Sequence, residues 1–252
     1  MGSFVLNDDE LLRYSRQIML PEVDIAGQEK LRSAHVAIVG LGGLGSPAAL
    51  YLAAAGIGTL TLVDFDTVDT SNLQRQIVHR DSNVGQLKVE SARTTLLELN
   101  PGLVIHTISR VLDDDDLQDL AEQVDVILDA TDNFLVRYAM NSASIKARKP
   151  LVSAAAIRFE AQLTTFDPRR ADSPCYACLY PEASATDQTC SENGVIAPLV
   201  GIVGAFQALE VIKLLAGIGE TLVGRLLFFD AKYAEWREFK LSKAPNCPSC
   251  GG

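Results

Sequence analysis

The 252-residue sequence is short of positive charge, of histidine and of recognisable targeting signals. Twenty-two Lys and Arg against 32 Asp and Glu leave a formal net charge of −10. Nucleic acid and anionic membrane surfaces repel such a chain, which excludes a general binder of either but not a local basic pocket for a triphosphate. The N-terminus, MGSFVLNDDE, lacks a basic segment followed by an apolar one. No signal peptide is therefore expected, and the chain reads as cytoplasmic. Internal repeats and low-complexity linkers are absent too. One apolar stretch, Val195 to Ile218, is long enough to suggest a membrane span, but Gln207, Glu210 and Lys213 interrupt it at helical spacing. That is the pattern of a buried or interface helix.

What is present describes an ordinary globular chain, 48% hydrophobic and 21% charged, long enough to bury a substantial core. Residues Asn7 to Leu20 read as a capped helix and Gln28 to Arg32 as a short one. Strands are expected at Val36 to Val39, before Asp64, at Val104 to Ser109, at Val124 to Asp129 and at Pro150 to Ala155. Helical patterns lie between them, including Leu87 to Leu99, so a parallel sheet covered on both faces follows. The acids Asp113 to Asp116 read as a helix start rather than a cation site. Beyond Ala156 the pattern changes. Arg158 to Phe166 alternates like an antiparallel strand, and Gly224 to Asp230 with Trp236 to Leu241 resembles a hairpin. The expected fold is a single α/β domain over residues 1–252. Its Rossmann-like nucleotide-binding part, 1–156, continues into a mixed sheet with an antiparallel C-terminal part and a zinc knuckle, 157–252.

The sequence is organised around residues 35 to 66. Gly40, Gly42 and Gly45 match G-x-G-x-x-G between a strand and a small-residue helix, with Gly43 in addition. Such a turn brings backbone close to a phosphate and aims a helix N-terminus at it. Asp64 follows the second strand, where a carboxylate can bind ribose hydroxyls. Alone, this pattern is as compatible with NAD or FAD as with ATP. Asn72, Arg75 and Lys88 after the second strand shift the balance, because two cations suit extra phosphate charge. Asp132, after a later strand, suits a magnesium ligand beside phosphate oxygens.

Five cysteines in a cytoplasmic chain favour metal or catalysis over disulfides. Cys175 and Cys178, with Cys247 and Cys250, form two C-x-x-C pairs that together can close a tetrahedral structural zinc site. Four free core thiols or a redox pair are the alternatives. Cys190 is left over in a polar segment. It is a candidate nucleophile for acyl or sulfur transfer, although none of His35, His79 and His106 is near it in sequence.

The whole set resembles the MoeB/ThiF branch of the ubiquitin-activating-enzyme family, over essentially the full length. The matching segments are LLRYSRQI, VGLGGLGSP, LVDFDTVDTSNLQRQ, VGQLKVESA, DATDN, the CYAC and CPSC pairs, and APLVGIVG. Leu87 departs from the family's frequent proline, and the sequence stops at Cys250-Gly-Gly, without the rhodanese domain some relatives append. The resemblance implies ATP-dependent adenylation of the C-terminal glycine of a ubiquitin-like sulfur carrier. The carrier is MoaD-like, in molybdenum cofactor biosynthesis, or alternatively ThiS-like, in thiamine biosynthesis. It also implies roles. Gly43 approaches the nucleotide, and Asp64 holds the ribose. Asn72, Arg75 and Lys88 meet the phosphates, and Asp132 holds magnesium. Arg16 reaches the triphosphate of the other subunit of a homodimer, and the ThiS-like alternative more strongly requires Cys190 for a covalent carrier adduct. Two readings from other classes, an NAD(P)-dependent oxidoreductase and a non-catalytic carrier-binding relative, leave Arg75, Lys88 and Asp132 without a purpose.

Overall fold

Alternation of side chains along five short strands decides which helices cover which face of the sheet. In β1 (His35–Val39), Val36 and Ile38 point to one side and Ala37 and Val39 to the other. β2 (Thr59–Val63) and β4 (Val126–Asp129) divide in the same way, with Leu60, Leu62, Val126 and Leu128 on the first side and Val63 and Ile127 on the second. Strands buried on both faces need apolar residues at nearly every position, and these have them. The computed structural model describes residues 5–181 and 194–251.

The eight strands form one sheet in the order β3-β2-β1-β4-β5-β6-β7-β8. β3 (Val104–Ile108), β2, β1, β4 and β5 (Leu151–Ile157) run parallel. β6 (Glu160–Phe166), β7 (Arg225–Asp230) and β8 (Glu235–Lys240) continue antiparallel. The expected mixed sheet is thus observed, and its direction changes between β5 and β6, where the sequence pattern changed.

Helices α3 (Asp24–Ser33), α4 (Gly45–Ala55), α5 (Lys88–Leu99) and α9 (Ala197–Ala216) pack on the first face. Helices α6 (Asp114–Gln123), α7 (Phe134–Ala147) and α8 (Tyr176–Leu179) cover the second. Asp113 caps α6 in a capping box, and Arg110 pairs with Asp116, so the acidic run is accounted for by a helix start. α9 has the length and composition to cross a membrane. Its polar residues instead join the core. Gln207 Nε2 donates to the Asp129 carbonyl (2.7 Å). Glu210, fully buried, accepts from Thr165 Oγ1 (2.9 Å) and the Leu222 N–H (2.7 Å) and pairs with Lys213.

The expected single helix at Asn7 to Leu20 is in fact two, α1 (Asp8–Arg13) and α2 (Ser15–Ile18), bent at Tyr14. Tyr14 is buried, and its hydroxyl accepts from Asn100 Nδ2 (2.9 Å). Burying that ring against Gly56, where an added Cβ would meet it at 2.6 Å, displaces the chain from one continuous helix. The next helix also starts earlier than its apolar pattern suggested, at Asp24, because Asp24 Oδ1 accepts from the Gly27 N–H (3.1 Å).

Candidate active site

The strand order reverses at β1. Strand β2 and then β3 lie on one side of it and β4 and β5 on the other, which opens a crevice at the carboxyl ends of β1 and β4. A cleft of about 420 Å³ occupies this position. The turn after β1 forms its floor. Gly40 has φ +94°, and a Cβ there would lie 2.7 Å from the Ala130 carbonyl oxygen, while a Cβ on Gly45 would lie 1.9 Å from the Gly40 carbonyl oxygen. These two positions admit only glycine for packing reasons. Gly42 differs, since its nearest neighbour would be Gln76 Nε2 at 3.7 Å. The turn leads into α4, whose N-terminus carries no side-chain cap. The Ser46 N–H donates to the Gly42 carbonyl (3.0 Å) and Pro47 has none, which leaves the N–H groups of Leu44 and Gly45 for a ligand at this helix end.

The Leu41 peptide in this turn is held at both ends. Its N–H donates to Asp64 Oδ2 (2.7 Å), and its carbonyl accepts from His79 Nε2 (3.2 Å) and Ser46 Oγ (3.2 Å). A carbonyl only accepts, so Nε2 carries the proton of a neutral imidazole, and Nδ1 accepts from Ser91 Oγ (2.9 Å). Burial, with Lys88 and Arg80 nearby, pushes His79 down to about 4. Asp64 Oδ1 accepts from the Asp66 N–H (2.9 Å), and burial raises its pKa against the opposing pull of Lys88 and the two backbone donors. Two backbone bonds leave lone pairs of this carboxylate for ligand hydroxyls.

Gly43, Asp64, Asn72, Arg75, Lys88 and Asp132 all line the cleft. Lys88 is buried at the start of α5 and donates to Asp66 Oδ2 (2.8 Å), with Asp64 at 3.9 Å. Its ammonium has two further donors for an anion. Arg75 Nη1 donates to the Ser71 carbonyl (3.1 Å), and Asn72 Oδ1 accepts from the Asp69 N–H (3.3 Å). Asp132 is exposed just after β4. Beneath it Asp129, fully buried, accepts from the Thr131 N–H (3.0 Å), Thr131 Oγ1 (2.8 Å) and Ser153 Oγ (2.6 Å), and pairs with Arg137 Nε (3.4 Å). Arg137 Nη2 also donates to the Thr131 carbonyl. This network fixes the loop that presents Asp132. Val111, Leu112, Leu117 and Val136 add an apolar wall suited to a flat heterocycle. His79, Asp129, Arg137 and this wall escaped sequence reasoning. An i, i+8 spacing from Asp129 to Arg137 was the sole local signal, and it is not specific.

Arg16 is not in this cleft. It is exposed on α2 and lines a separate groove with Tyr14, Tyr51 and Leu209. Cys190 lies outside the described residues. The four other cysteines come together, with all four sulfurs within 4.8 Å of one another and neighbouring pairs at 3.5, 3.6 and 3.9 Å. Thiolates about 2.3 Å from a tetrahedral zinc stand about 3.8 Å apart, so the donor set fits zinc. Burial pushes Cys175 up to about 11 and Cys250 well above the thiol range, while the N–H groups of Ser249 and Cys250 hold Cys247 down to about 7 against burial. A bound cation would favour ionisation of coordinating thiols.

A phosphate-binding turn, a carboxylate after β2 and another after β4 at the switch point define a nucleotide-binding protein of the doubly wound class. The ThiF family model matches residues 14–249, and the chain belongs to that family. It is 50% identical over 246 residues to the molybdopterin-synthase adenylyltransferase of Escherichia coli K12, covering 98% of each chain. It is 44% identical over 247 residues to the sulfur carrier protein ThiS adenylyltransferase of the same organism, again covering 98% of each. The crystal structure of E. coli MccB with ATP superposes with a TM-score of 0.83 at 24% identity, over 100% of this chain and 76% of that one. That likeness speaks for the fold.

Proposed function

We infer that the chain is an adenylyltransferase acting on the C-terminal glycine carboxylate of a ubiquitin-like, MoaD-like sulfur carrier, in molybdenum cofactor biosynthesis. A cytoplasmic location goes with this reading. The observation that carries it is the convergence of Gly43, Asp64, Asn72, Arg75, Lys88 and Asp132 on one cleft, in a chain half identical to a molybdopterin-synthase adenylyltransferase. A carboxylate oxygen of the carrier forms a bond to the α-phosphorus of ATP, the bond to the bridging oxygen breaks, and pyrophosphate leaves. The site's task is to hold two anions in line and to neutralise charge as it moves to the leaving group. The glycine turn and the open end of α4 take the phosphate chain, Asp64 the ribose hydroxyls, and the apolar wall the adenine. Arg75 and the free donors of Lys88 face the phosphates. A lone exposed carboxylate at Asp132 fits a magnesium ion that keeps most of its ligands as water and phosphate oxygen. Such an ion, when bound, neutralises phosphate charge. The second part of the chain, 157–252, is assigned to the carrier and to a structural zinc on the four cysteines.

Carrier-dependent exchange of labelled pyrophosphate into ATP tests this reading. Exchange with a MoaD-like carrier, lost in Asp132→Ala and Arg75→Ala and kept in Cys190→Ala, is expected. No exchange with either a MoaD-like or a ThiS-like carrier overturns adenylation. Exchange with the ThiS-like carrier alone establishes the second reading, which rests on the 44% identity to a ThiS adenylyltransferase.

A homodimer accompanies the proposal. Tyr51 and Leu209, exposed, line the groove that contains Arg16 together with Ala54, Ala205 and Ile212, and Leu12, Met19 and Leu20 are exposed in the same N-terminal helical segment as Arg16. A face so apolar is what an isologous interface covers. In that dimer Arg16 serves the partner's triphosphate. Mixing Arg16→Ala with Asp132→Ala chains restores exchange if this is so, because one of the two clefts then has both groups. Two inactive chains that stay inactive when mixed argue against it.

A further inference from the structure

Three glutamines are buried among the described residues: Gln28, Gln76 and Gln207. Two have visible structural duties. Gln28 Nε2 donates to the Ala55 carbonyl (2.9 Å) and its Oε1 accepts from Gln17 Nε2 (2.8 Å). Gln207 Nε2 donates to the Asp129 carbonyl and ties α9 to β4. Gln76 shares a buried, unpartnered Oε1 with Gln207 but differs in that its Nε2 makes no hydrogen bond among the described residues either, and it is 4% exposed. It lines the nucleotide cleft, with Nε2 3.7 Å from where a Cβ on Gly42 would stand.

Its position is set by backbone. The Gln76 N–H donates to the Asn72 carbonyl (2.9 Å), and the Gln76 carbonyl accepts from the His79 N–H (3.1 Å). The carboxamide is therefore mounted on the same ordered turn as Arg75 and faces the bare Cα of Gly42. A buried polar group without a partner destabilises a fold, and an apolar side chain of the same length would fill the space at lower cost. An anion cannot satisfy Oε1, which only accepts, but Nε2 makes no hydrogen bond among the described residues either, and it is the end beside Gly42 that a ligand on the turn would complete. The ligand surface at a glycine turn is anionic, and the end of a carboxamide that meets an anion is its amide.

We propose that Gln76 is a further substrate-binding residue of this site, its Nε2–H donating to a phosphoryl oxygen of the nucleotide lying on Gly42. The role rests on the reading of the cleft as an ATP site. It differs from the roles of Arg75 and Lys88 because it supplies direction without charge. A neutral donor orients a phosphoryl group and leaves the charge balance to the cations.

The test is Gln76→Met, with Gln76→Glu beside it. Titration with a non-hydrolysable ATP analogue and the melting temperature are read for each, together with carrier-dependent pyrophosphate exchange. In Gln76→Met, nucleotide affinity and kcat/KM for ATP fall about tenfold, as expected for one lost hydrogen bond to a charged group. The melting temperature holds or rises, because an unpaired amide has been removed. Gln76→Glu falls further, since a carboxylate repels phosphate. A purely structural glutamine gives the opposite pairing, a lower melting temperature with affinity intact. Unchanged affinity in a folded Gln76→Met chain overturns the proposal, and so does failure of that chain to fold, which would make the carboxamide a structural group. The titration needs no carrier. Loss of exchange in the unsubstituted chain would sink the adenylation reading, whereas the analogue titration judges Gln76 separately.

Discussion

The nucleotide cleft and the cysteine knuckle are held in shape by different means. The cleft sits at the end of a sheet buried on both faces, between two large apolar clusters. Its polar groups are tied by backbone bonds before any ligand arrives: Asp64 to Leu41 and Asp66, and Asp129 to Thr131 and Ser153. The knuckle has a buried cluster of only Cys175, Ala177 and Cys247. Four thiols join α8 to the tail, and Gly251, whose N–H donates to the Cys247 carbonyl (2.8 Å), closes it. A site supported by core burial is preorganised and survives emptying. A site whose own buried cluster is this small would draw more of its stability from a bound metal.

The largest expected effect breaks the cleft through its packing. Gly45→Ala places a Cβ 1.9 Å from the Gly40 carbonyl oxygen, backbone against backbone. A loss of about 4 kcal/mol or more is expected, read as loss of a cooperative melt. An alanine variant with a normal melt would mean that the turn is free to shift.

Next comes the metal. About one zinc per chain is expected. Its removal by a strong chelator is expected to open residues 241–251 to protease while leaving nucleotide-analogue affinity within about twofold, because the cysteines pack in a small cluster of their own, whereas Tyr176 keeps α8 in the larger cluster beside the cleft. If chelation abolished nucleotide binding in a chain that kept its fold, the two regions would not be independent.

A smaller effect comes from His79, which keeps the glycine turn in place while neutral. Its pKa drops from 6.5 to about 4 on folding, so below pH 6.5 the unfolded chain binds the extra proton first. Stability therefore falls as pH drops from 6.5 towards 4, by up to about 3 kcal/mol from this group. Denaturant melts across that range are expected to show the slope, and His79→Gln is expected to flatten it. An identical slope in both chains would assign it to other groups.

The smallest change in stability separates fold from ligand. Gly42→Ala adds a Cβ that meets only Gln76 Nε2 at 3.7 Å, an ordinary contact. Stability within about 0.5 kcal/mol is expected, with nucleotide affinity reduced by steric contact with the phosphate. If affinity survived, the phosphate chain would lie elsewhere than on this face of the turn.

Residues close together in the sequence were the easiest to read. Gly40 to Gly45, Asp64, the two C-x-x-C pairs and the capping acids at Asp113 to Asp116 carry their pattern in short spacings; in the structure the turn and Asp64 line one cleft, the four sulfurs cluster, and Asp113 caps α6. The bend at Tyr14 was not readable, because the ring's destination is Gly56 and Asn100, far along the chain. Nothing in the sequence sets Arg137 apart from the other basic residues on helices; its role depends on Asp129 lying beneath it, at 3.4 Å.

The sequence by itself determined a glycine turn between a strand and a helix with a carboxylate after the next strand, a sheet that changes direction after residue 156, and two cysteine pairs that belong together. Each follows from local periodicity or fixed spacing. Only the tertiary structure decided that His79 anchors Leu41 and that Arg16 faces away from the cleft of its own chain. It likewise decided that the Gln76 carboxamide has no partner among the described residues beside Gly42. Those outcomes depend on which remote groups burial brings within hydrogen-bonding distance, and that is settled by packing of the whole sheet and its helices rather than by any short stretch of sequence.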